Sequence, residues 1–275
     1  MPTDSPRKFT MADLRLARES GKKVSILTCY DFTTAGLMQE AGVPALLVGD
    51  SAAGVILGHP NTLPISLSFL IELTAAVRRG APRCLVIGDM PFGSYQASVP
   101  QGVKNVLRMV QLSGCDCVKI EAADGHLRLV RRLADAGVAV MAHIGLRPQS
   151  IGLLGQYKTQ GRTAAEAQRI VEISFRLERA GAAAILLEAV PPDVSAAVVE
   201  KVAIPVIGCG AGPACHGYVF VTHDALALTP HKPKFAPSLG DMAAPLLAAF
   251  RHYVKLVADG KYPAPEHNYE RSVDK

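Results

Sequence analysis

The chain has 275 residues, of which 49% are hydrophobic and 5% aromatic, and its net charge is +5. This length suits one (β/α)8 barrel, which typically takes about 250 residues. The basic residues do not cluster, so we expect no nucleic-acid partner. No apolar run reaches the roughly 18 residues of a membrane span, and we expect neither a membrane partner nor a signal peptide. The six dispersed cysteines predict a reduced, cytoplasmic protein.

Short apolar runs alternate with amphipathic segments along the chain. Thr10 is a predicted N-cap of a short first helix. The predicted strands are Val24–Thr28, Ala45–Val48, Cys84–Ile87, Cys117–Ile120, Val138–Ala142, Ala183–Leu187, Pro205–Ile207 and Tyr218–Val221. The predicted helices between them are Ser68–Arg79, Val99–Ser113, Gly125–Ala136, Ala164–Ala180 and Pro192–Lys201.

This alternation of strand and helix is typical of a parallel sheet. Several helices are followed by glycine, which supplies the left-handed residue that ends a helix. No GxGxxG motif follows the first strand, which disfavours an open dinucleotide-binding sheet. We therefore predict an α/β protein, a (β/α)8 TIM barrel forming a single domain over residues 1–275. A helical extension would occupy about residues 1–22, and a polar tail about residues 264–275.

Polar residues end most of the predicted strands: Asp31, Asp50 with Ser51, Asp89, Glu121, His143 and Glu188. Because the carboxyl ends of barrel strands meet at the face where active sites are built, these side chains should converge. Clustered carboxylates repel one another unless a cation compensates, and Mg²⁺ prefers oxygen ligands. Asp50, Asp89 and Glu121 follow successive strands, so we expect them to lie side by side at the rim of the barrel.

Several of these residues have an alternative interpretation. Asp31 is more readily explained as a helix N-cap. His143 is as readily a buried, satisfied histidine as a functional one. Lys119 projects to the same side of its strand as Glu121, where it would either bind an anionic substrate or pair with a barrel carboxylate. The polar loop Gly155–Arg162 is either a lid or substrate loop, or a solvated connection.

A series of motifs from about Met11 to Phe235 resembles one known family. The series includes GDS at Gly49–Ser51, DMPF at Asp89–Phe92, VKIE at Val118–Glu121, HIGLRPQS at His143–Ser150, YKTQGR at Tyr157–Arg162 and LEAVP at Leu187–Pro191. The family is ketopantoate hydroxymethyltransferase, also called 3-methyl-2-oxobutanoate hydroxymethyltransferase. Single motifs such as GDS are unspecific, but the unbroken combination is highly specific.

The resemblance implies transfer of a hydroxymethyl group from methylenetetrahydrofolate to 3-methyl-2-oxobutanoate, through a Mg²⁺-stabilised enolate. The product is ketopantoate, in pantothenate and coenzyme A biosynthesis. The resemblance also implies a cytoplasmic barrel that forms a homo-oligomer, often a decamer. By motif, the Mg²⁺ ligands are Asp50, Asp89 and Glu121, the keto-acid contacts are Asp50, Ser51, Asp89, Lys119 and His143, and the proton acceptor is Glu188. The motifs assign no residue to the folate.

The chain departs from the family pattern at Cys209 and at Cys215–Tyr218. Both departures are predicted to lie near the active face, where they would affect folate recognition or the choice of substrate. The alternative function is that of a Mg²⁺-dependent carbon–carbon lyase acting on a related 2-keto or 2-hydroxy acid. Such lyases commonly carry a cysteine in a loop after a strand, and Leu153–Arg162 contains none. A non-catalytic barrel is disfavoured because the metal carboxylates and the base are all present.

Overall fold

The computed structural model describes residues 7–230 and 232–271, and within them the chain forms eight strands and eleven α-helices. The strands are β1 (Val24–Thr28), β2 (Ala45–Val48), β3 (Leu85–Asp89), β4 (Cys117–Glu121), β5 (Val140–Gly145), β6 (Ala184–Glu188), β7 (Val206–Cys209) and β8 (Gly217–Phe220). The helices are α1 (Met11–Glu19), α2 (Phe32–Glu40), α3 (Ala52–Val55), α4 (Leu67–Gly80), α5 (Val99–Ser113), α6 (Leu127–Asp135), α7 (Ile151–Leu154), α8 (Ala164–Arg179), α9 (Pro192–Lys201), α10 (Thr222–Ala225) and α11 (Ala243–Ala258).

The eight strands form a closed parallel barrel in sequence order, and β8 pairs with β1 to complete it. The predicted (β/α)8 fold and the short helix before it are confirmed. Strands β3 to β6 extend beyond the predicted apolar runs and include the polar residues Asp89, Glu121, His143 and Glu188. Those polar side chains therefore lie on the ends of regular strands.

Two layers of apolar side chains hold the barrel together. The interior is filled by alternate residues of each strand, including Ile26, Leu47, Ile87 and Met141. A larger layer lies between the strands and the surrounding helices. Leu14 of α1 belongs to the interior cluster and is fully buried, so α1 packs at the amino-terminal ends of the strands.

Local signals explain where the helices begin. Thr10 accepts a hydrogen bond from the Asp13 backbone N–H, and the Asp13 carboxylate accepts one in return from the Thr10 backbone, a complete capping box. Asp31 caps α2 by accepting from Thr34 N at 2.8 Å. Its alternative interpretation as a cap is therefore confirmed. Helices α2, α3, α7, α10 and α11 were not among the predicted elements.

The chain folds into two compact units, Met1–Thr222 and His223–Lys275. The first contains the barrel. In the second, the ring of Tyr262 packs against the rings of Tyr253, within α11, and His267. Organisation of the whole chain as one domain stays a prediction, and parts of the extension and the tail, residues 1–6 and 272–275, lie outside the described residues. No helix among the described residues is long and apolar enough to cross a membrane.

Candidate active site

The barrel register explains why polar side chains meet at the carboxyl ends of the strands. In a strand, every second residue faces the same side. Along each strand, the inward-facing positions hold buried apolar residues. On β3 to β6, the last inward-facing position holds a polar residue instead. The inward series run through Ile87 to Asp89, Cys117 through Lys119 to Glu121, Met141 to His143 and Leu186 to Glu188.

A cluster of buried charges occupies the ends of β2, β3 and β4. Asp50, Asp89, Lys119 and Glu121 are each at most 5% exposed. Lys119 Nζ donates to Asp89 Oδ2 at 2.5 Å, and the Asp50 backbone N–H donates to the same oxygen at 2.9 Å. The other oxygen of that carboxylate, Oδ1, is buried and has no hydrogen-bond partner among the described residues. One lysine thus faces three carboxylates, so the cluster has unused capacity for a cation.

Gln149 joins the carboxylates of this cluster, and sequence reasoning missed it. Its backbone N–H donates to Glu121 Oε1 at 3.0 Å, and its Nε2 donates to Asp50 Oδ2 at 2.9 Å and to the Met90 carbonyl at 3.0 Å. Its Oε1 accepts from the Tyr95 hydroxyl at 2.9 Å. Gln149 therefore sets the separation of Asp50 and Glu121.

We predict that Gln149→Leu lowers the free energy of unfolding by about 2–4 kcal/mol, because several buried polar groups lose their partner. The measurement is urea unfolding in the presence of a chelator. The matched control is Gln96→Leu, since Gln96 also contacts the Gln149 side chain but is exposed. If Gln149→Leu were as stable as the control, the hydrogen bonds of the Gln149 side chain would not stabilise the fold.

Burial changes the acidity of this cluster. It raises the pKa of Asp89 to about 7 and the pKa of Glu121 to about 8, against the opposing effect of the Lys119 charge. The pKa of Lys119 is raised because the attraction of Asp89, Asp50 and Glu121 outweighs its burial. Without a cation, the cluster therefore holds protons near neutral pH.

On the adjacent strands, His143 and Glu188 form a second pair. His143 Nε2 lies 3.2 Å from Glu188 Oε2, and His143 Nδ1 lies 4.0 Å from Glu121 Oε1. Neither ring nitrogen satisfies hydrogen-bond geometry with a partner in the described part of the chain. Burial and the Lys119 charge lower the pKa of His143, so the ring is neutral at pH 7. The Glu188 side chain keeps 18% of its surface exposed and is accessible to a ligand.

The backbone around Glu188 is constrained. The next residue, Ala189, has φ of +48°, a conformation that costs energy for a residue with a side chain. Hydrogen bonds hold it there: its N–H donates to the Cys209 carbonyl, and its carbonyl accepts from Gln160 N at 2.9 Å. On the other side, a side chain at Gly145 would meet the Glu188 carbonyl oxygen at 2.3 Å. Neighbouring strands therefore fix the direction of Glu188.

The remaining predicted site residues lie near this face. Ser51 Oγ lies 2.8 Å from the Tyr30 hydroxyl. Burial and the charges of Asp50, Glu121 and Glu188 raise the pKa of Tyr157, a half-exposed residue of the loop Gly155–Arg162. This effect places the loop near the carboxylates. Its role as a lid stays a prediction.

Only one of the two departures from the family pattern lies at this face. Cys209 ends β7 and pairs in register with Glu188. His216 precedes β8, and its backbone carbonyl accepts from Val24 N while its Nδ1 accepts from Val206 N. Both partners begin strands, so His216 lies at the opposite end of the barrel. The prediction that Cys215–Tyr218 lies near the active face is wrong, because these residues lead into β8 rather than follow it.

The predicted metal ligands do not form a ready-made cage. In the part of the chain that the structure describes, no group of three or more His, Cys, Asp or Glu side chains is arranged to hold a metal ion. Mg²⁺ does not require such a group, because it is usually held by one or two carboxylates together with water and substrate oxygens. The unpartnered Asp89 Oδ1 and the nearby Asp50 and Glu121 carboxylates fit that kind of binding.

Comparison with known proteins identifies sequence relatives over nearly the whole chain. The sequence model of the ketopantoate hydroxymethyltransferase family matches residues 8–265. A 3-methyl-2-oxobutanoate hydroxymethyltransferase of Trichlorobacter lovleyi is 42% identical, covering 96% of this chain and 99% of the relative. The relative from Acidothermus cellulolyticus, with the same name, is 43% identical over 97% of this chain and 98% of its own.

Solved structures share the fold at much lower identity. Phosphonopyruvate hydrolase in complex with oxalate and Mg²⁺ is 16% identical, with a TM-score of 0.62 over 95% of this chain and 92% of that one. A 2,3-dimethylmalate lyase of the PEP mutase/isocitrate lyase superfamily is 19% identical, with a TM-score of 0.59 over 94% and 92%. These likenesses support the barrel fold and nothing further.

Proposed function

The chain belongs to the ketopantoate hydroxymethyltransferase family, and from that premise we propose that its buried carboxylates bind Mg²⁺ and that Glu188 is the proton acceptor. The enzyme is a hydroxymethyltransferase that forms ketopantoate from 3-methyl-2-oxobutanoate. The observation that carries the proposal is the imbalance of charge in the barrel mouth. Three buried carboxylates there face a single lysine, and an accessible fourth carboxylate, Glu188, lies on the opposite side of His143.

The donor set of the cluster suits a hard divalent cation. Asp89 Oδ1 lacks a partner among the described residues, and Asp50 and Glu121 present the other carboxylate oxygens. When bound, Mg²⁺ supplies a Lewis acid that stabilises negative charge developing on the keto oxygen of the substrate. The Lys119 ammonium provides a fixed positive charge for the substrate carboxylate, and the Ser51 hydroxyl provides a further hydrogen bond.

Glu188 is the group best suited to remove a proton from the carbon next to the keto group. It combines a carboxylate with access to the barrel mouth, whereas Asp89 and Glu121 are more deeply buried and already contact Lys119 and Gln149. The neutral His143 ring lies against Glu188 Oε2 and orients the carboxylate and the substrate. The carbanion equivalent formed in this way would form a carbon–carbon bond to the one-carbon unit of methylenetetrahydrofolate, the proposed donor. Both carbon–nitrogen bonds of its methylene group break, water supplies the oxygen of the new hydroxymethyl group, and tetrahydrofolate leaves.

The test follows the proton next to the keto group. Proton NMR of 3-methyl-2-oxobutanoate in D₂O, with enzyme and Mg²⁺ but no folate, should show loss of that signal, and a chelator should prevent the loss. Addition of methylenetetrahydrofolate should then give ketopantoate. If the proton does not exchange, with or without folate, the proposed chemistry is wrong, and the substrates of carbon–carbon lyases become the next candidates.

A cytoplasmic location and a homo-oligomer, with a decamer as the family expectation, belong to the same proposal.

The raised carboxyl pKa values predict that the stabilisation of the folded protein by Mg²⁺ depends on pH. Between their ordinary pKa values of 3.8 and 4.5 and the folded values of about 7 and 8, Asp89 and Glu121 bind more protons folded than unfolded. Stability of the metal-free protein should therefore fall as pH rises through this window. The pKa of His143 is lowered, so this residue makes stability rise with pH. Its effect ends at its ordinary pKa of 6.5.

We therefore expect the melting temperature in chelator to decline between about pH 6.5 and pH 8, and the increase caused by Mg²⁺ to grow over the same range. Differential scanning fluorimetry in paired buffers measures both. Glu121→Gln removes one of the two protonating groups and should flatten the decline. A Mg²⁺ effect that does not change with pH would contradict competition between protons and the metal.

A further inference from the structure

An arginine-rich groove runs along the outside of the barrel between α6 and α8. Its cavity has a volume of about 600 Å³ and is lined by Arg128, Arg131, Arg132, Arg176 and Arg179, with Asp135 as its single acidic residue. Arg131 donates to the Arg179 carbonyl, and Arg176 pairs with Asp124. Arg128 and Arg132 are exposed, and neither makes a hydrogen bond or ion pair with the described residues. The groove therefore carries uncompensated positive charge.

A second cavity borders this groove and includes residues of the active face in its lining. The second cavity has a volume of about 360 Å³ and shares Arg176 with the groove. Its lining also includes Ala122, Ile144 and Gly145, which follow β4 or end β5. Ala122 directly follows Glu121, and Ile144 directly follows His143, so a ligand leaving the barrel mouth between β4 and β5 would enter this cavity first.

The two cavities differ in charge. The inner one is balanced, with Arg147, Arg169 and Arg176 set against Asp124, Glu166 and Glu172. Glu166 is also engaged by the backbone N–H groups of Arg162 and Thr163. The outer groove has five arginines and one aspartate. The two cavities together suit an elongated ligand with an uncharged middle and several negative charges at its far end.

We infer that the groove binds the γ-linked polyglutamate tail of the folate co-substrate. This inference rests on the proposed function, because it takes the folate to be the one-carbon donor. A folate has an uncharged aminobenzoyl group between its reacting pterin and its glutamate, and each added glutamate contributes one further carboxylate. Arginine guanidinium groups recognise carboxylates through paired, charge-assisted hydrogen bonds. The aminobenzoyl group would occupy the balanced cavity, and the tail would follow the arginines between α6 and α8.

The test compares methylenetetrahydrofolate carrying one glutamate with the same compound carrying five. For the wild-type enzyme, we expect the pentaglutamate form to have a KM about tenfold lower, and the preference to diminish in about 0.5 M KCl, where screening is strong. In Arg128→Gln/Arg132→Gln, the KM for the pentaglutamate form should rise to that of the monoglutamate form. The KM and kcat for the monoglutamate form should not change.

The matched control is Arg15→Gln/Arg79→Gln, which removes two exposed arginines from α1 and α4. It should keep the preference. Equal KM values for the two folates in the wild type would overturn the inference, as would a preference that survives in Arg128→Gln/Arg132→Gln or disappears in the control.

Calorimetric titration of the two tetrahydrofolates provides a readout that needs no turnover. The expected ratio of dissociation constants is again about tenfold in the wild type and near one in Arg128→Gln/Arg132→Gln, which amounts to about 1.4 kcal/mol. Ketopantoate formation with no preference for the pentaglutamate folate would refute the proposed role of the groove and leave the proposed function intact. Absence of ketopantoate with both folates would refute the proposed function, and the inference with it. A change of oligomeric state in Arg128→Gln/Arg132→Gln, seen by size-exclusion chromatography with unaltered folate affinities, would instead assign the groove to subunit contact.

Discussion

Replacement of Glu188 by glutamine is expected to slow Mg²⁺-dependent proton exchange of 3-methyl-2-oxobutanoate by about 10²–10⁴-fold, the usual contribution of a positioned general base. Glutamine preserves the size of the side chain but cannot accept the proton. The KM for the keto acid should change little, because the groups proposed to bind it, Asp89 and Lys119, lie on other strands. Ketopantoate formation should fall in parallel with exchange.

Two further variants make this result specific. Glu200→Gln, an exposed carboxylate on α9, should leave exchange unaltered. His143→Asn should reduce exchange less than Glu188→Gln does, because His143 is proposed to orient Glu188 and the substrate. If Glu188→Gln retained exchange within about threefold of wild type, a different group would be the base. His143, whose Nε2 is 3.2 Å from Glu188, would then be the first to test.

The positions of the inward-facing site residues could be predicted from strand periodicity. Lys119 and Glu121 are two positions apart in sequence, and so share a face of β4 whatever the details of packing. The same reasoning connects Met141 with His143 and Leu186 with Glu188. A barrel with strands in sequence order then brings these faces together. The sequence reasoning predicted that the polar strand ends converge, and in the structure His143 lies between Glu121 and Glu188.

The roles of Gln149 and His216 could not be predicted in this way. Gln149 lies in a 3-10 turn after β5, where no periodicity indicates the direction of a side chain. Its burial depends on contacts with Asp50 and Tyr95, which are distant in sequence. His216 was predicted to lie near the active face because it follows β7 in sequence, but the connection has already crossed to the other end of the barrel at this residue. A residue in a short connection can be assigned to one end of the barrel only if the limits of the flanking strands are known. These limits are the least certain part of a prediction from sequence.

Helix α11 shows a different kind of omission. Its sequence, from Ala243 to Ala258, is rich in alanine and leucine, and its only helix breaker, Pro245, lies in the first turn, where proline is tolerated. The signal for a helix was thus present. It was not recognised because the strand–helix alternation that predicts the barrel ends before this segment.

The second large effect is expected at the buried ion pair of Lys119 and Asp89. Above about pH 8, where Asp89 is ionised in the wild type, Lys119→Met should lower the free energy of unfolding by about 3–5 kcal/mol, because it leaves a carboxylate buried without its cation. Both side chains are almost fully buried and their charged atoms are 2.5 Å apart. Exchange of the substrate proton should fall by at least about 10²-fold, because the site loses its only fixed positive charge near the carboxylates among the described residues. Urea unfolding and the NMR exchange assay measure the two effects separately.

Stability and activity should separate in the double variant Lys119→Met/Asp89→Asn. Removing both charges abolishes the cost of an unpaired buried carboxylate, so much of the lost stability should return. Activity should not return, because both groups are proposed to contact the substrate. The pair of the exposed Arg7 and the largely covered Asp13 is the control, and Arg7→Met should lower the free energy of unfolding by no more than about 1 kcal/mol. If the destabilisation by Lys119→Met and that by Asp89→Asn simply added in the double variant, the two charges would not be coupled. Lys119 would then act on the substrate alone.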